Sequence, residues 1–353
     1  LSWARLPRPR ARFIARPMAQ GLKVAVVGAT GMVGAEMLRV LEQRAFPVAE
    51  LVPVASARSA GKTVRFRGAE HRVVEIAPEV FEGVDLALFS AGGGTSRQWS
   101  PIAASKGALV VDNSSAFRAD PECPLVVPEV NADAAANRPK GIIANPNCST
   151  IQMVVALKPL HDEARLKRVV VATYQAISGS GAQAVRAFEA QEAATVRGDE
   201  VDKSQLSGQL SRNLLMHWKP DIESGYQEEE LKMVSETRKI FADPGIAVSP
   251  TAVRVPVITA HSEAVTVECH APISAARARE LLSQAEGVEV VDDFRHGIYP
   301  QPIDAAGRDP VYVGRIREDV GNPGGIQMWV VSDNLRKGAA LNAVQIAETV
   351  LLK

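Results

Sequence analysis

Between residues 21 and 148 the apolar positions fall into short unbroken runs, set apart by stretches of helical or irregular texture. Residues 23–27 (KVAVV) form a β-branched run stopped by Gly28, and 32–41 carries apolar residues at helical spacing, which predicts strand, turn, helix. Further runs at 50–56, 85–90, 108–112 and 141–145 predict strands buried on both faces. Such strands alternating with helices predict an α/β domain with a doubly wound parallel sheet. Beyond 148 the strands are longer and alternate apolar with polar positions: 166–177, 251–258, 264–270, 288–292, 311–317 and 325–332. Alternation predicts an α+β domain with a mixed sheet that has one wetter face, its other face covered by helices at 182–195 and 274–285. The polar segment 197–240 reads as helical insertions. A last helix, 336–352, carries Leu341, Val344, Ala347 and Leu351 on one stripe, widened by Ile346 and Val350, and is expected to pack back on the first domain.

The length agrees with this division. The 353 residues are about 2.4 times the roughly 150 typical of one domain. The expected domains are 21–148, completed by 336–353, and 149–335. Forty basic against forty acidic residues leave no net field to attract nucleic acid or an anionic membrane, so any anion must be held locally. No run approaches the roughly 18 apolar residues of a membrane helix. Three scattered cysteines make neither a disulfide framework nor a metal site, and suit a reducing compartment such as the cytoplasm. The first twenty residues hold Arg5, Arg8, Arg10, Arg12 and Arg16 and no acid. They read as an extension upstream of Met18 rather than a plastid transit peptide, and are set apart from the fold.

Gly28-Ala29-Thr30-Gly31-Met32-Val33-Gly34 closes the first strand and opens the first helix. Glycines there let backbone approach a pyrophosphate, which the free amides and positive dipole end of the helix would hold. With Ser90, Gly92 and Gly93 after a later strand, this predicts a Rossmann-type dinucleotide site. The second strand ends in Ser56-Ala57-Arg58-Ser59, where an NAD site has an acid; a cation and hydroxyls favour the 2′-phosphate of NADP.

Asn145-Pro146-Asn147-Cys148-Ser149-Thr150 opens an apolar helix where the two domains meet. A thiol at a helix N-terminus is expected to be a low-pKa nucleophile, with the same amides able to receive an oxyanion. Cys123 and Cys269 read as ordinary packed thiols. Of the histidines, His71, His161, His217 and His296 are expected to face solvent and His270 to be structural. His261 lies in a turn between two strands, seven residues after Arg254.

Nine ordered motifs, GATGMVG, SARSAG, FSAGGG, DNSSAFR, NPNCST, YQAISGSGAQA, EEELKMVSETRKI, RVPVITAHS and SDNLRKGAALNAVQIAE, cover nearly all of 23–353 and resemble the aspartate-β-semialdehyde dehydrogenase family. The resemblance implies that Cys148 is the nucleophile, His261 the general acid/base and Gln175 the residue orienting the thioester. It implies that Arg254 binds the substrate carboxylate, Glu229 its ammonium group, and Arg118 with Lys232 the phosphate. It further places Asn113, Ser178, Gly179 and Asn334 at the dinucleotide and implies a homodimer. The implied reaction is thiolate attack on β-aspartyl phosphate, loss of phosphate, and hydride transfer from NADPH, without a metal. Ala260 departs from the glycine that many relatives have there. Two rivals are an N-acetyl-γ-glutamyl-phosphate reductase, whose acetylated substrate has no use for Glu229, and a non-catalytic dinucleotide-binding redox sensor.

Overall fold

The computed structural model describes residues 21–216 and 223–352, so the expectations for the first twenty residues and for His217 lie outside the described residues. Strands are β1 (Leu22–Val27), β2 (Val48–Ala55), β3 (Thr63–Phe66), β4 (Ala69–Arg72), β5 (Val74–Glu75), β6 (Leu86–Phe89), β7 (Leu109–Asp112), β8 (Ile142–Ala144), β9 (Leu166–Gln175), β10 (Ala247–Arg254), β11 (His261–Cys269), β12 (Val288–Val290), β13 (Val311–Glu318) and β14 (Ile326–Ser332). The first sheet runs β5-β2-β1-β6-β7-β8, with every pair parallel. Chain order therefore reverses between β1 and β6, which opens a crevice at their carboxyl ends. The second sheet runs β10-β9-β11-β14-β13-β12, antiparallel at its centre and parallel at both edges.

The Cys148–Ala164 helix joins the two halves. Its Ile151, Met153, Val154, Val155, Ala156 and Leu157 are buried, and they share one core with Val110 and Ile142 of the first sheet and Val171, Val265 and Val330 of the second. The other face of the first sheet is covered by the Met32–Gln43 helix and by Leu341–Leu351, whose Leu341, Val344 and Ile346 contact the cluster around Val24, Leu86 and Leu109. The predicted return of the last helix is thus observed. No helix among the described residues is long and apolar enough to cross a membrane.

Four expectations need correction. The strand read at 251–258 lies at Ala247–Arg254, because β10 pairs residue for residue with β9 from Ala247 opposite Arg168 to Arg254 opposite Gln175. Pro250 is tolerated because β10 is an edge strand. The segment 197–240 is helical only at Glu228–Ile240. The Ala182–Arg197 helix packs Ala184 and Phe188 on Ile177 and Leu210 in a small separate cluster, and the second sheet is covered instead by Cys148–Ala164 and Ala275–Gln284. A hairpin, β3–β4, was not foreseen. Its turn places Arg67 (φ 49°) and Gly68 (φ 79°) in the left-handed region, and Arg67 is held there by donating to the Phe46 and Val48 carbonyls at 2.6 and 3.0 Å.

Candidate active site

Cys148 is the first residue of its helix, and Asn147 caps that helix, its side-chain oxygen accepting from the Ser149 and Thr150 amides at 3.0 and 3.3 Å. His261 begins β11 rather than lying in the preceding turn, and is fully buried. The two meet: Cys148 Sγ is 3.3 Å from His261 Nε2. The Ala176 amide donates to His261 Nδ1 at 2.9 Å, so the single proton of the neutral ring sits on Nε2, facing the sulfur. Burial, and secondarily Arg254, hold the imidazole well below its ordinary pKa and keep it neutral.

The surroundings of Cys148, which is itself half-buried, oppose the expected low-pKa thiol. Burial, and next the Glu229 carboxylate, push Cys148 up to about 12, and Arg118, Arg254 and the Ser149 amide offset this only in part. A helix terminus contributes roughly 0.3–1 kcal/mol, which cannot outweigh desolvation shifts of several pKa units.

Arg254 ends β10, is nearly buried, and donates from Nη1 to the Ala176 carbonyl at 2.6 Å. Gly179 lies beside this pair, since a Cβ there would meet Arg254 Nη1 at 3.4 Å and His261 Nε2 at 3.5 Å. A cavity of about 310 Å³ opens next to Arg254, with Ser180, Gln183, Gln205 and Ser207 supplying polar lining. Gln175, at the end of β9, donates to Ser149 Oγ at 2.9 Å and to Glu229 Oε1 at 3.4 Å. Glu229 also accepts from Asn147 Nδ2 at 2.7 Å, and Lys232 Nζ lies 3.8 Å from it and 2.8 Å from Glu228. Arg118 donates to the Asn145 and Asn113 carbonyls and to Glu236 Oε1. Cys148, His261, Gln175, Glu229 and Arg254 thus form one cluster, with Arg118 and Lys232 on the flank held by the Glu228–Ile240 helix. Ala260 has φ 74°, and its amide is fixed by Asn334 Oδ1 at 2.9 Å.

Several contributors went unread in the sequence. Glu236 accepts from the Asn147 amide at 2.6 Å, and Lys239 Nζ donates to the Arg118, Asp120 and Cys123 carbonyls at 2.7–2.9 Å. Both follow Glu229 and Lys232 by seven residues, two helical turns, so helical spacing could have found them. Gly338 could not be found that way: a Cβ there would stand 2.9 Å from Cys148 Cβ, across 190 residues of chain. It sits in a π-helical turn, Arg336–Ala340, that precedes the last helix where a plain α-helix was expected. His161 is half-buried against Phe241, ring centroids 4.7 Å apart, and not in solvent; His71 is half-buried, while His296 and His270 are exposed.

Most of the dinucleotide candidates follow the carboxyl ends of first-sheet strands β1, β2, β6 and β7. Gly28 has φ 88°, and a Cβ there would lie 2.3 Å from the Ser90 carbonyl; a Cβ on Gly34 would lie 2.1 Å from the Gly28 carbonyl. Thr30, Gly31, Met32 and Val33 form the helix start beside β1, and Gly92 and Gly93 the one beside β6. Neither start has a side-chain cap, unlike the one at Cys148, so their amides remain available to an anion. Asn113 follows β7 and accepts from Asn145 Nδ2 at 2.6 Å. Ser178 bonds Asn334 at 2.9 Å. Ser56, Arg58 and Ser59 lie in a turn after β2, with Arg58 exposed.

Comparison with known proteins agrees with this geometry. A family model described as semialdehyde dehydrogenase, NAD binding domain, matches residues 23–138, and one described as semialdehyde dehydrogenase, dimerisation domain, matches 157–337. The aspartate-semialdehyde dehydrogenase of Aquifex aeolicus is 54% identical over 94% of this chain and 98% of its own. The crystal structure of aspartate semialdehyde dehydrogenase II from Vibrio cholerae, complexed with ASA, is 48% identical with a TM-score of 0.92, over 95% of this chain and 99% of that one. That of the Candida albicans enzyme with NADP is 25% identical with a TM-score of 0.73, over 94% and 98%. A parallel dinucleotide-type sheet and a mixed-sheet second half sharing a cysteine helix are therefore the form that this sequence gives to the aspartate-semialdehyde dehydrogenase family, to which the chain belongs.

Proposed function

We propose that the chain interconverts L-β-aspartyl phosphate and L-aspartate 4-semialdehyde with NADP(H), through a thioester on Cys148, in the biosynthesis of lysine, threonine, methionine and isoleucine. The observation that carries this reading is the 3.3 Å approach of Cys148 Sγ to His261 Nε2 beside the nearly buried Arg254. In the reductive direction the sulfur adds to the acyl phosphate carbon, phosphate departs, and Cys148 carries the thioester. Arg254 takes the substrate α-carboxylate, Glu229 its ammonium group, and Gln175 holds the acyl oxygen in place. Arg118 spends three donors inside the protein, leaving two N–H groups which with Lys232 would hold phosphate.

The tautomer gives His261 a direction. Its Nδ1 lone pair is engaged by the Ala176 amide, so protonating both nitrogens would set two N–H groups against each other. His261 therefore acts as a hydrogen-bond donor, first to the sulfur and then to the oxygen of the hemithioacetal, while the thiol proton passes to the departing phosphate, which leaves as hydrogen phosphate. The cradle at Gly28, which a Cβ would fill, and the two uncapped helix starts fit a dinucleotide pyrophosphate, and exposed Arg58 with Ser56 and Ser59 fits a 2′-phosphate. When bound, the dinucleotide supplies the hydride in this direction and accepts it in the other.

The working form in this reading is a cytoplasmic homodimer that joins through the outer face of the second sheet. That face shows half-exposed Val170 and the Tyr174–Trp329 pair, ring centroids 5.3 Å apart. The test is phosphate-dependent reduction of NADP by L-aspartate semialdehyde, run beside N-acetyl-glutamate semialdehyde. Turnover of the first alone is expected, and its loss by at least about 10³-fold in Cys148→Ala with NADP binding retained. Equal turnover of both substrates, or an active Cys148→Ala, overturns the reading.

A further inference from the structure

Glu263 is fully buried, and neither of its carboxyl oxygens has a hydrogen-bond partner. Gln152 is equally buried, and its amide nitrogen and oxygen are also without partners. The two side chains lie against each other, and the Gln152 carboxamide is the one group that offsets the effect of burial on the acid. Around Glu263 the register places Thr173 of β9 on one side and Val330 of β14 on the other, and Thr173 Oγ1 already accepts from Gln175. Each side chain therefore offers the other the donor and acceptor that it lacks. A carboxylate could only accept from the Gln152 nitrogen and would leave the Gln152 oxygen orphaned, whereas a neutral acid donates to that oxygen and accepts from the nitrogen.

Glu263 follows His261 by two residues on one strand, and Gln152 follows Cys148 by four on one helix. Two strand residues advance about 6.8 Å and four helical residues about 6 Å, so the pairs stack as adjacent rungs between the same two elements. Deeper on the same strand the facing residues, Val265 and Val267, are apolar and buried. Apolar contact is non-directional and leaves a helix free to slide or rotate by tenths of an ångström. A reciprocal acid–amide pair fixes both, yet an apolar pair of equal volume would bury more cheaply.

We infer that Glu263 is a positioning residue: as a neutral acid paired with Gln152, it forms the rung that sets the Cys148 Sγ to His261 Nε2 spacing. This inference rests on the proposed use of that pair in turnover, and wild-type turnover of L-aspartate semialdehyde tests that use separately.

Steady-state kinetics of Glu263→Gln, Glu263→Leu and Gln152→Leu, with NADP affinity measured alongside, tests the rung. Glu263→Gln keeps the donor and acceptor without the acid and should hold kcat within about twofold. Glu263→Leu and Gln152→Leu should each lower kcat at least tenfold, with the semialdehyde KM and NADP affinity within about twofold. Wild-type kcat in Gln152→Leu, or in a folded Glu263→Leu, overturns the inference, as does a Glu263→Gln as impaired as the leucine variants. Should Glu263→Leu fail to fold, Gln152→Leu and Glu263→Gln decide. A wild type that does not turn over the semialdehyde defeats the functional reading and not the rung, which slower alkylation of Cys148 in Gln152→Leu than in wild type would still reveal.

Discussion

Cys148 carries opposing influences, and their balance has measurable consequences. Burial pushes its thiol up to about 12 from an ordinary 9.0, so the resting group is a thiol. Alkylation of the ligand-free protein by iodoacetamide should then accelerate about tenfold per pH unit from pH 7 to 10, without a plateau. A plateau near pH 7 would show that the thiolate already exists there. The same shift makes stability pH-dependent. Between about pH 9 and 12 the unfolded chain has released this proton and the folded one has not, so rising pH favours unfolding. At Arg254, lysine keeps the charge and loses the fork. Arg254→Lys should raise the semialdehyde KM about tenfold, some 1.4 kcal/mol, with a smaller change in kcat. An unchanged KM would remove Arg254 from the substrate site.

Elements explain which parts of the site were legible. Five of the six first-sheet strands were read within two residues because a strand buried on both faces is a continuous apolar run, whereas the short exposed edge strand β5 was missed. Asn147-Cys148-Ser149 was legible as a helix start because a cap is a local pattern. Helix periodicity contained Glu236 and Lys239, but their partners lie on Asn147 and on the loop after Arg118, which no local pattern announces. The thiol's pKa was misjudged because burial belongs to the packing of both sheets around one helix, and the π-helical turn was invisible for the same reason. Gly338 makes that packing testable. A methyl group 2.9 Å from Cys148 Cβ must displace one of the two backbones. Gly338→Ala should lower kcat about 10²-fold and stability by about 1–3 kcal/mol, with NADP binding within a few-fold. Kinetics like those of wild type would show that the turn yields freely.

At the scale of the molecule, one continuous core runs through both sheets, so the cysteine helix is a shared wall and not a hinge. The second sheet has its other side turned outward, with Val170 among its more exposed apolar residues at 36%. Placing a charge there should leave the monomer's core intact and prevent self-association. Val170→Glu should sediment at half the wild-type mass at micromolar concentration; unchanged mass would move the contact elsewhere.

The closing segment ties the two ends of the described chain together. Arg44 makes a two-pronged pair with Glu348 at 2.7 Å, and Arg336 reaches Glu36 at 2.5 Å. Leu341, Val344 and Ile346 complete the packing over β1, a strand made long before them. On the ribosome, the first sheet must therefore wait, with an apolar face uncovered, until residues 341–346 have been made. The backing of the reactive sulfur by Gly338 arrives in that same segment, so a polypeptide released before it would lack both a finished lobe and a competent nucleophile.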